Sequence, residues 1–338
     1  MSNQSLPEGR RCSLALRAER RAFSPFTLRY ARTLLPFLPF LPSLPSVTAI
    51  VLNYKTPKDT IRCVRALLNQ TIAKRVTVSE VEPQHAVPMS SLDSARDDTG
   101  LEILIVDNHS EDDSIGVLRN TFHHVTPSTV EVRMLESRRN IGYGQGNQTA
   151  IAQVESAFIL IINPDNELEP EGLAKMLAAM EADPSIGILG PQLRHSDGTI
   201  RDSFRTFPTP GDIFIKRTFL RHLFPKRMRR YLQYDEDRSK VREVDWLAGA
   251  CLLIRRELFE RLGGFDPRFF LFFEDTDLCR RCRAAGSRVI YFPNAFATDR
   301  KHRLSQGGFL SIFTKKTVRI HLVSAMKYFW KWRGARKT

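Results

Sequence analysis

The sequence lacks the features that identify a disulfide-rich secreted protein or a membrane-spanning one. Its 338 residues contain only five cysteines, an odd number scattered along the chain, so we expect no disulfide framework and a reducing compartment. No stretch reaches the roughly 18 uninterrupted apolar residues needed to cross a bilayer. The nearest, TLLPFLPFLPSLPS, contains four prolines that interrupt any helix, and it lacks the small-residue cleavage site of a signal peptide. A cytoplasmic location is therefore expected.

The cysteine pattern also lacks a complete zinc site. Cys279 and Cys282 form a CxxC pair, but neither a second pair nor a nearby histidine completes a set of four ligands. We therefore expect these cysteines to be structural.

Acidic residues are fewer than basic ones. There are 37 Asp and Glu against 51 Lys and Arg, a net charge of +14. The excess lies near the N-terminus, in residues 216–230 and in residues 315–337, where basic and aromatic residues are interleaved. The balance favours a polyanionic partner such as nucleic acid, anionic lipid or a phosphorylated substrate. The interleaving favours an anionic membrane surface, and a solvated basic face is the alternative.

Short apolar runs that alternate with helical patterns begin at Val47. Buried strands are predicted in VTAIVLNY, LEILIVDN, VEVRML, AFILIINPD and IGILGP. Helical spacing is present in PKDTIRCVRALLNQ and over residues 146–154 and 170–182. The alternation predicts an α/β fold with a mostly parallel central sheet flanked by helices. Ligands of such sheets bind at the carboxyl ends of the strands.

Polar residues follow three of these predicted strands. The pairs are Asn53 with Tyr54, Asp107 with Asn108, and Asn163 with Asp165. A turn explains any one pair, but three pairs at equivalent strand ends indicate a ligand site. Asp165, in INPDNE, is a candidate ligand for a hard divalent cation, which needs few protein carboxylates when phosphates complete its shell. The alternative is an N-cap for the following helix, to which Glu169 lies closer.

The segment RRNIGYGQGN places Gly142, Gly144 and Gly146 ahead of a predicted helix. Its spacing and position differ from those of the dinucleotide-binding fingerprint. Glycines in such a loop allow the backbone to approach a phosphate or a sugar. A flexible turn explains them equally well.

The segment GGFDPRFFLFFEDTDLCRRCRAAG combines five phenylalanines with Glu274, Asp275 and Asp277. Capping of a helix and its macrodipole explain the acids, but not the preceding aromatic run. A carboxylate beside an apolar wall has a raised pKa and can act as a general base. Further along, His302 lies in the basic segment RKHRLSQGG, where it is either a surface residue or a contact for a metal or phosphate.

In their order along the chain, these motifs resemble those of the family 2 glycosyltransferases, and more narrowly the rhamnosyltransferase-type branch. The resemblance rests on IVLNY, LIVDNHSEDDS, NIGYGQGN, LIINPD, the segment from Trp246 to Gly286, and the late histidine. It covers residues 47–305 and implies the GT-A nucleotide-diphospho-sugar transferase fold, a divalent metal (Mg²⁺ or Mn²⁺) and inversion at the anomeric centre. Gln148 and Ala150 depart from the residues usual in the family.

The resemblance also implies roles for individual residues. Asn53 and Asp107 would lie at the nucleoside of the donor, and Asp275 would be the general base with Glu274 beside it. The remaining expected donor-binding residues are Tyr54, Asn140, Gly142, Gly146, Asn163 and Trp246. The expected metal ligands are Asp165 and His302.

The expected protein is thus a glycosyltransferase domain over residues 47–305, with an insertion-like loop at 71–100 and an acceptor-side region at 194–243. Residues 1–46 are expected to be a disordered basic extension, or a start assigned too early, and residues 306–338 a basic aromatic tail. The expected activity is transfer of a sugar, with L-rhamnose from dTDP-rhamnose as first choice and a UDP- or GDP-sugar as alternative. The acceptor would be a lipid-linked or cell-envelope glycan at the inner face of the plasma membrane. A nucleic-acid-binding protein or a non-catalytic scaffold are the alternatives from other classes, and the first leaves the strand-end acids unexplained.

Overall fold

The computed structural model describes residues 47–71, 100–123, 130–300 and 316–334. The extension at 1–46, most of the loop at 71–100 and His302 lie outside the described residues. The expectations for those segments therefore stay predictions. Among the described residues, no helix is both long and apolar enough to cross a membrane.

A nine-stranded sheet forms the centre of the fold, in the order β3-β2-β1-β4-β10-β6-β11-β5, with β8 paired to β11. Strands β1, β2, β3, β4, β6 and β11 run in one direction, and β5, β8 and β10 run in the other. A separate two-stranded sheet pairs β7 with β9. The strands are β1 (Val47–Asn53), β2 (Leu101–Asp107), β3 (Val130–Glu136), β4 (Phe158–Ile162), β5 (Asn166–Leu168), β6 (Ile186–His195), β7 (Phe204–Arg205), β8 (Arg242–Glu243), β9 (Trp246–Leu247), β10 (Cys251–Arg255) and β11 (Arg288–Asp299).

Helices cover both faces of the sheet, which confirms the predicted α/β class. They are α1 (Pro57–Leu68), α2 (Ser114–Phe122), α3 (Tyr143–Ile151), α4 (Gly172–Ala182), α5 (Pro210–Arg217), α6 (Leu220–Leu223), α7 (Pro225–Leu232), α8 (Arg256–Arg261), α9 (Glu274–Ala284) and α10 (Lys316–Lys331). All five predicted strands are present. The helix predicted at 146–154 begins three residues earlier, at Tyr143.

Alternate side chains of β1 contribute to two hydrophobic cores, one on each face of the sheet. Ala49 and Val51 pack with residues of α1, α2 and α4, whereas Ile50 and Leu52 pack with residues of α3, α8 and α9. Successive side chains of a strand point to opposite faces, so a strand that is apolar at every position must be covered on both sides. The strands β1, β2 and β4 are therefore buried, and their ends are left to carry polar groups.

The sequence did not predict β10, which lies between β4 and β6 and is antiparallel to both. Its run, CLLIR, passes directly into α8. An apolar run of five residues shows burial but no direction, so periodicity alone does not indicate a reversed strand in the middle of the sheet.

A third cluster joins α5, α7 and α10 to the aromatic run before α9. Its buried members include Ile213, Met228, Phe269, Phe273 and Tyr328. The cluster therefore packs the C-terminal basic segment against the segment that leads into the predicted catalytic residues.

Candidate active site

The ends of β1 and β2 bring together Asn53 and Asp107, as the sequence predicted. The Asn53 amide donates to the Asp107 carboxylate over 2.6 Å and to the Ser110 hydroxyl over 3.1 Å. The backbone N–H of Ser110 donates to the other Asp107 oxygen over 3.0 Å. Asn53 is fully buried, and its side-chain oxygen accepts from the Thr60 hydroxyl over 2.9 Å. Asn53 therefore orients Asp107, and Tyr54, the next residue along the chain, is exposed.

Asn108 connects this strand end to the glycine-containing loop. Its amide nitrogen donates to the Asn140 side chain and to the Gly142 carbonyl, and its oxygen accepts from the Ile141 N–H over 3.2 Å. Asn140 in turn accepts from the Gly142 N–H over 3.0 Å. The strand end and the loop before α3 are therefore held as one unit.

Packing accounts for the glycines at Gly142 and Gly146. Gly142 has a φ of +86°, and a side chain there would overlap the carbonyl oxygen of Phe270. At Gly146 an added carbon would lie 2.7 Å from Leu52 of β1. Both glycines allow close approach to other parts of the chain, and their contact with a donor stays a prediction.

Asn163 and Asp165 lie just beyond β4, and both leave oxygen atoms available. The buried side-chain oxygen of Asn163 has no hydrogen-bond partner among the described residues. The Asp165 carboxylate accepts from the Asn166 amide over 3.0 Å. Among the described residues, no three His, Cys, Asp or Glu side chains converge as a metal site. An amide oxygen and a carboxylate are nevertheless donor types that suit a divalent cation with most of its ligands from a diphosphate and water.

Glu274 and Asp275 begin α9 after a strained approach. Phe272 and Phe273 have φ values of +69° and +70°, which is costly for bulky residues and is found mainly at functional sites. One Asp275 oxygen accepts from the Gly249 N–H over 2.9 Å, and the other accepts from the Thr276 N–H over 2.6 Å. These bonds fix the carboxylate at the N-terminus of the helix.

Burial changes the acidity of both carboxyl groups. It raises the pKa of Asp275, and the hydrogen bonds from Gly249 and Thr276 offset part of the rise. Burial raises the pKa of Glu274 well above its ordinary value, with a further rise from the neighbouring Asp275 charge. One buried Glu274 oxygen has no partner among the described residues. The pair thus has the acidity expected of a general base and its neighbour.

Tyr143 is a candidate site residue that the sequence did not indicate. Its hydroxyl donates to the Gly249 carbonyl over 2.6 Å, so Gly249 links it to Asp275. Burial raises the pKa of Tyr143, and Glu274, Asp275 and Asp165 raise it further. The tyrosine therefore lies within electrostatic reach of both the predicted base and the predicted metal ligand. The feature of the sequence that could have indicated Tyr143 is its position between Gly142 and Gly144.

Trp246 lies elsewhere, on the small β7–β9 sheet. It is buried, its indole N–H donates to the Thr206 carbonyl over 2.9 Å, and the Arg205 guanidinium lies 5.3 Å from its ring centre. None of the hydrogen bonds of Trp246 in the described structure is to Asn53 or Asp107. Its expected contact with the donor stays a prediction.

Comparisons with known proteins identify the family of the chain. A family model described as "Glycosyltransferase like family 2" matches residues 45–311. The N-acetylglucosaminyl-diphospho-decaprenol L-rhamnosyltransferase of Mycobacterium tuberculosis is 32% identical over 210 residues, which are 58% of this chain and 65% of that protein. Rhamnosyltransferase WbbL of Escherichia coli K12 is 28% identical over 195 residues, covering 55% of this chain and 69% of that protein.

The fold is also shared with a solved structure. A crystal structure of GalNAc-T7 with UDP, GalNAc and Mn²⁺ superposes with a TM-score of 0.52 at 14% identity, over 78% of this chain and 45% of that one. At this identity the likeness concerns the fold alone, which is GT-A. Because the family model covers most of its length, the chain belongs to the family 2 glycosyltransferases.

Proposed function

We propose that the protein is an inverting, metal-dependent glycosyltransferase with Asp275 as its general base. The observation that carries the proposal is the Asp275 carboxylate, fixed by two backbone N–H groups and raised in pKa by burial. Asp275 takes the proton of an acceptor hydroxyl while that oxygen bonds to the anomeric carbon. The bond to the nucleoside diphosphate breaks on the opposite face, and the leaving group keeps the electron pair.

Asn163 and Asp165 would hold the divalent cation, with His302 as a further expected ligand. The unpartnered Asn163 oxygen supports this assignment. When bound, the cation supplies positive charge that stabilises the departing diphosphate. Mg²⁺ and Mn²⁺ both accept such oxygen ligands.

The proposed donor is dTDP-L-rhamnose, and the proposed acceptor is a lipid-linked glycan. The names of the relatives support rhamnose and a lipid-linked acceptor, since one relative is an N-acetylglucosaminyl-diphospho-decaprenol L-rhamnosyltransferase. The dTDP carrier rests on the family resemblance. A UDP- or GDP-sugar is the alternative donor. Asp107 and Tyr54, whose ring is exposed, would contact the nucleoside of the donor.

Peripheral attachment to the inner face of the plasma membrane is part of the proposal. The outer face of α10 presents Arg319, Val323, Met326 and Trp330, and the exposed Arg333 follows the helix. Residues 316–334 contain no acidic residue. An apolar stripe flanked by cations fits an anionic bilayer, where apolar groups enter the interface and the charges contact headgroups.

A donor panel tests the activity. The full chain is incubated with dTDP-rhamnose, UDP-sugars and GDP-sugars, with Mn²⁺ or with chelator, and slow donor hydrolysis and thermal shift are measured. We expect metal-dependent stabilisation and hydrolysis with one nucleotide class. Absence of both with every donor would contradict the proposal, and an Asp275→Asn variant as active as wild type with acceptor would favour a non-catalytic scaffold.

A further inference from the structure

Two arginines of the acceptor-side region, residues 194–243, have buried N–H groups without partners among the described residues. They are Arg205, the last residue of β7, and Arg217, the last residue of α5. The Nε of Arg205 and one terminal nitrogen of Arg217 are buried and make no hydrogen bond within the described structure. Neither guanidinium forms an ion pair with a carboxylate of the described residues.

Other arginines of the same region do have acidic partners. Arg227 donates to Asp212 over 2.7 Å, and Arg238 lies 3.7 Å from Asp202. Carboxylates are therefore available locally, but they are used elsewhere. A buried N–H group without a partner costs free energy, so the unpartnered groups of Arg205 and Arg217 need an explanation.

Aromatic rings lie beside Arg205 and beside Lys216, the neighbour of Arg217. Arg205 lies 5.3 Å from the centre of the Trp246 ring and donates to the hydroxyl of Tyr231. Lys216, next to Arg217, lies 5.8 Å from the centre of the same Tyr231 ring. Both α5 and α7 belong to the cluster that includes Phe269 and Phe273, just before Glu274.

The electrostatics agree with convergence of the three cations. Burial and then Arg217, Lys216 and Arg205 lower the pKa of His321, on α10, to about 3. Burial raises the pKa of Asp275, and Arg205 offsets part of that rise. Arg205 thus lies within electrostatic reach of the carboxylate that would receive the acceptor's proton.

We propose that Arg205 and Arg217 form a binding site for the phosphate groups of the acceptor, a prenyl-diphosphate-linked glycan. A guanidinium offers several N–H donors in a planar fork that matches phosphate oxygens, so an anion would supply the missing partners. The site lies in the segment expected to select the acceptor, and it would hold the diphosphate while the glycan hydroxyl reaches Asp275. This assignment rests on the proposed transferase function.

The donor also carries a diphosphate, which offers the same phosphate oxygens as the acceptor. The experiment therefore measures binding of the two ligands separately. Binding of farnesyl diphosphate and of farnesol to the full chain is measured by tryptophan fluorescence, with chelator present to exclude metal-dependent binding. Binding of dTDP and UDP with Mn²⁺ forms a separate arm. The variants are Arg217→Met and, as a matched control, Arg221→Met, which removes an exposed arginine of α6.

We expect wild type to bind farnesyl diphosphate more tightly than farnesol, and Arg217→Met to lose about tenfold or more of that affinity, as for a lost charged hydrogen bond. Arg221→Met should bind as wild type does, and nucleotide affinity should be unchanged in both variants. Equal affinity of wild type and Arg217→Met for farnesyl diphosphate would overturn the assignment, as would equal affinity of wild type for both probes. Loss of nucleotide affinity in Arg217→Met would assign the cluster to the donor instead. Donor hydrolysis by wild type reports separately on the proposed function, since it needs no acceptor.

Discussion

The ammonium group of Lys331 donates to the carboxylate of Asp277 over 2.8 Å. Asp277 is fully buried in the first turn of α9, two residues after Asp275. It also accepts from Arg281 over 2.8 Å and from the indole N–H of Trp332 over 2.9 Å. The C-terminal helix is therefore anchored to the helix that carries the proposed base.

Loss of this anchor should destabilise the fold. Lys331→Met leaves the buried Asp277 and Asp266 carboxylates without one of their cations, and removal of one partner from a buried ion pair costs about 3–5 kcal/mol. Urea unfolding of the variant measures this cost. Lys327→Met is the control, because Lys327 is exposed and donates to a backbone carbonyl of Arg268. Equal unfolding midpoints for the two variants would contradict the anchoring role.

Removal of the Glu274 charge should stabilise the protein at neutral pH. The folded-state pKa of Glu274 is raised above the ordinary 4.5 by burial and by Asp275. Between these two values the folded state binds more protons than the unfolded state, so the contribution of Glu274 to stability falls as pH rises through that window. Glu274→Gln should therefore melt higher than wild type at pH 8, by about 2–4 °C for each kcal/mol gained.

The difference between Glu274→Gln and wild type should shrink at acidic pH, where the wild-type carboxyl is protonated. Thermal melts of both proteins at pH 5 and pH 8 provide the comparison. An advantage for Glu274→Gln that is the same at both values would mean that the charge is not its source.

Activity should be lost on acidification at a pH above the ordinary range of an aspartate. The pKa of Asp275 is raised above 3.8, mainly by burial, and a general base works only when deprotonated. The rate should therefore fall as pH falls through the raised pKa. A pH profile of kcat/KM reports this value for the free enzyme, and Asp275→Asn should remove both the activity and the acidic limb. A profile with no acidic limb above the ordinary range would contradict the assignment of Asp275.

Much of the site was predictable from sequence because its groups follow strands. Asn53 and Asp107 meet because β1 and β2 are parallel neighbours in register, so residues at equivalent strand ends are adjacent. For Asp277 the sequence indicates only a place in the first turn of a helix. Its partner Lys331 lies 54 residues further along the chain, and no local pattern indicates that α10 docks there. Contacts set by regular geometry are visible in a sequence, whereas those set by packing of distant helices are not.

Gly142 should not tolerate a side chain, and Gly198 provides a matched control. Their φ values are +86° and +83°, so alanine should pay a similar backbone penalty of about 1 kcal/mol at each. At Gly142 the new carbon would also overlap the Phe270 carbonyl oxygen, whereas at Gly198 no atom lies within 4 Å. Gly142→Ala should therefore lower the unfolding midpoint by much more than Gly198→Ala lowers it. It should also weaken nucleotide binding, because the loop holds Asn108 and Asn140. Equal effects of the two substitutions would show that the contact with Phe270 does not constrain the loop.

Membrane attachment through α10 predicts a specific dependence on Trp330. Its ring is 70% exposed on the stripe that includes Met326, whereas Trp332 is bonded to Asp277. The full chain should co-sediment with vesicles of phosphatidylcholine and phosphatidylglycerol, and less with phosphatidylcholine alone, because the flanking cations meet anionic headgroups. Trp330→Ser should reduce co-sedimentation without a change in melting temperature, since it removes no packed contact of the core.

Tyr54→Ser, which removes another exposed ring, should leave vesicle binding intact. Vesicle binding that is equal for wild type and Trp330→Ser would place attachment on another surface, and equal binding to neutral and anionic vesicles would remove the electrostatic part of the argument.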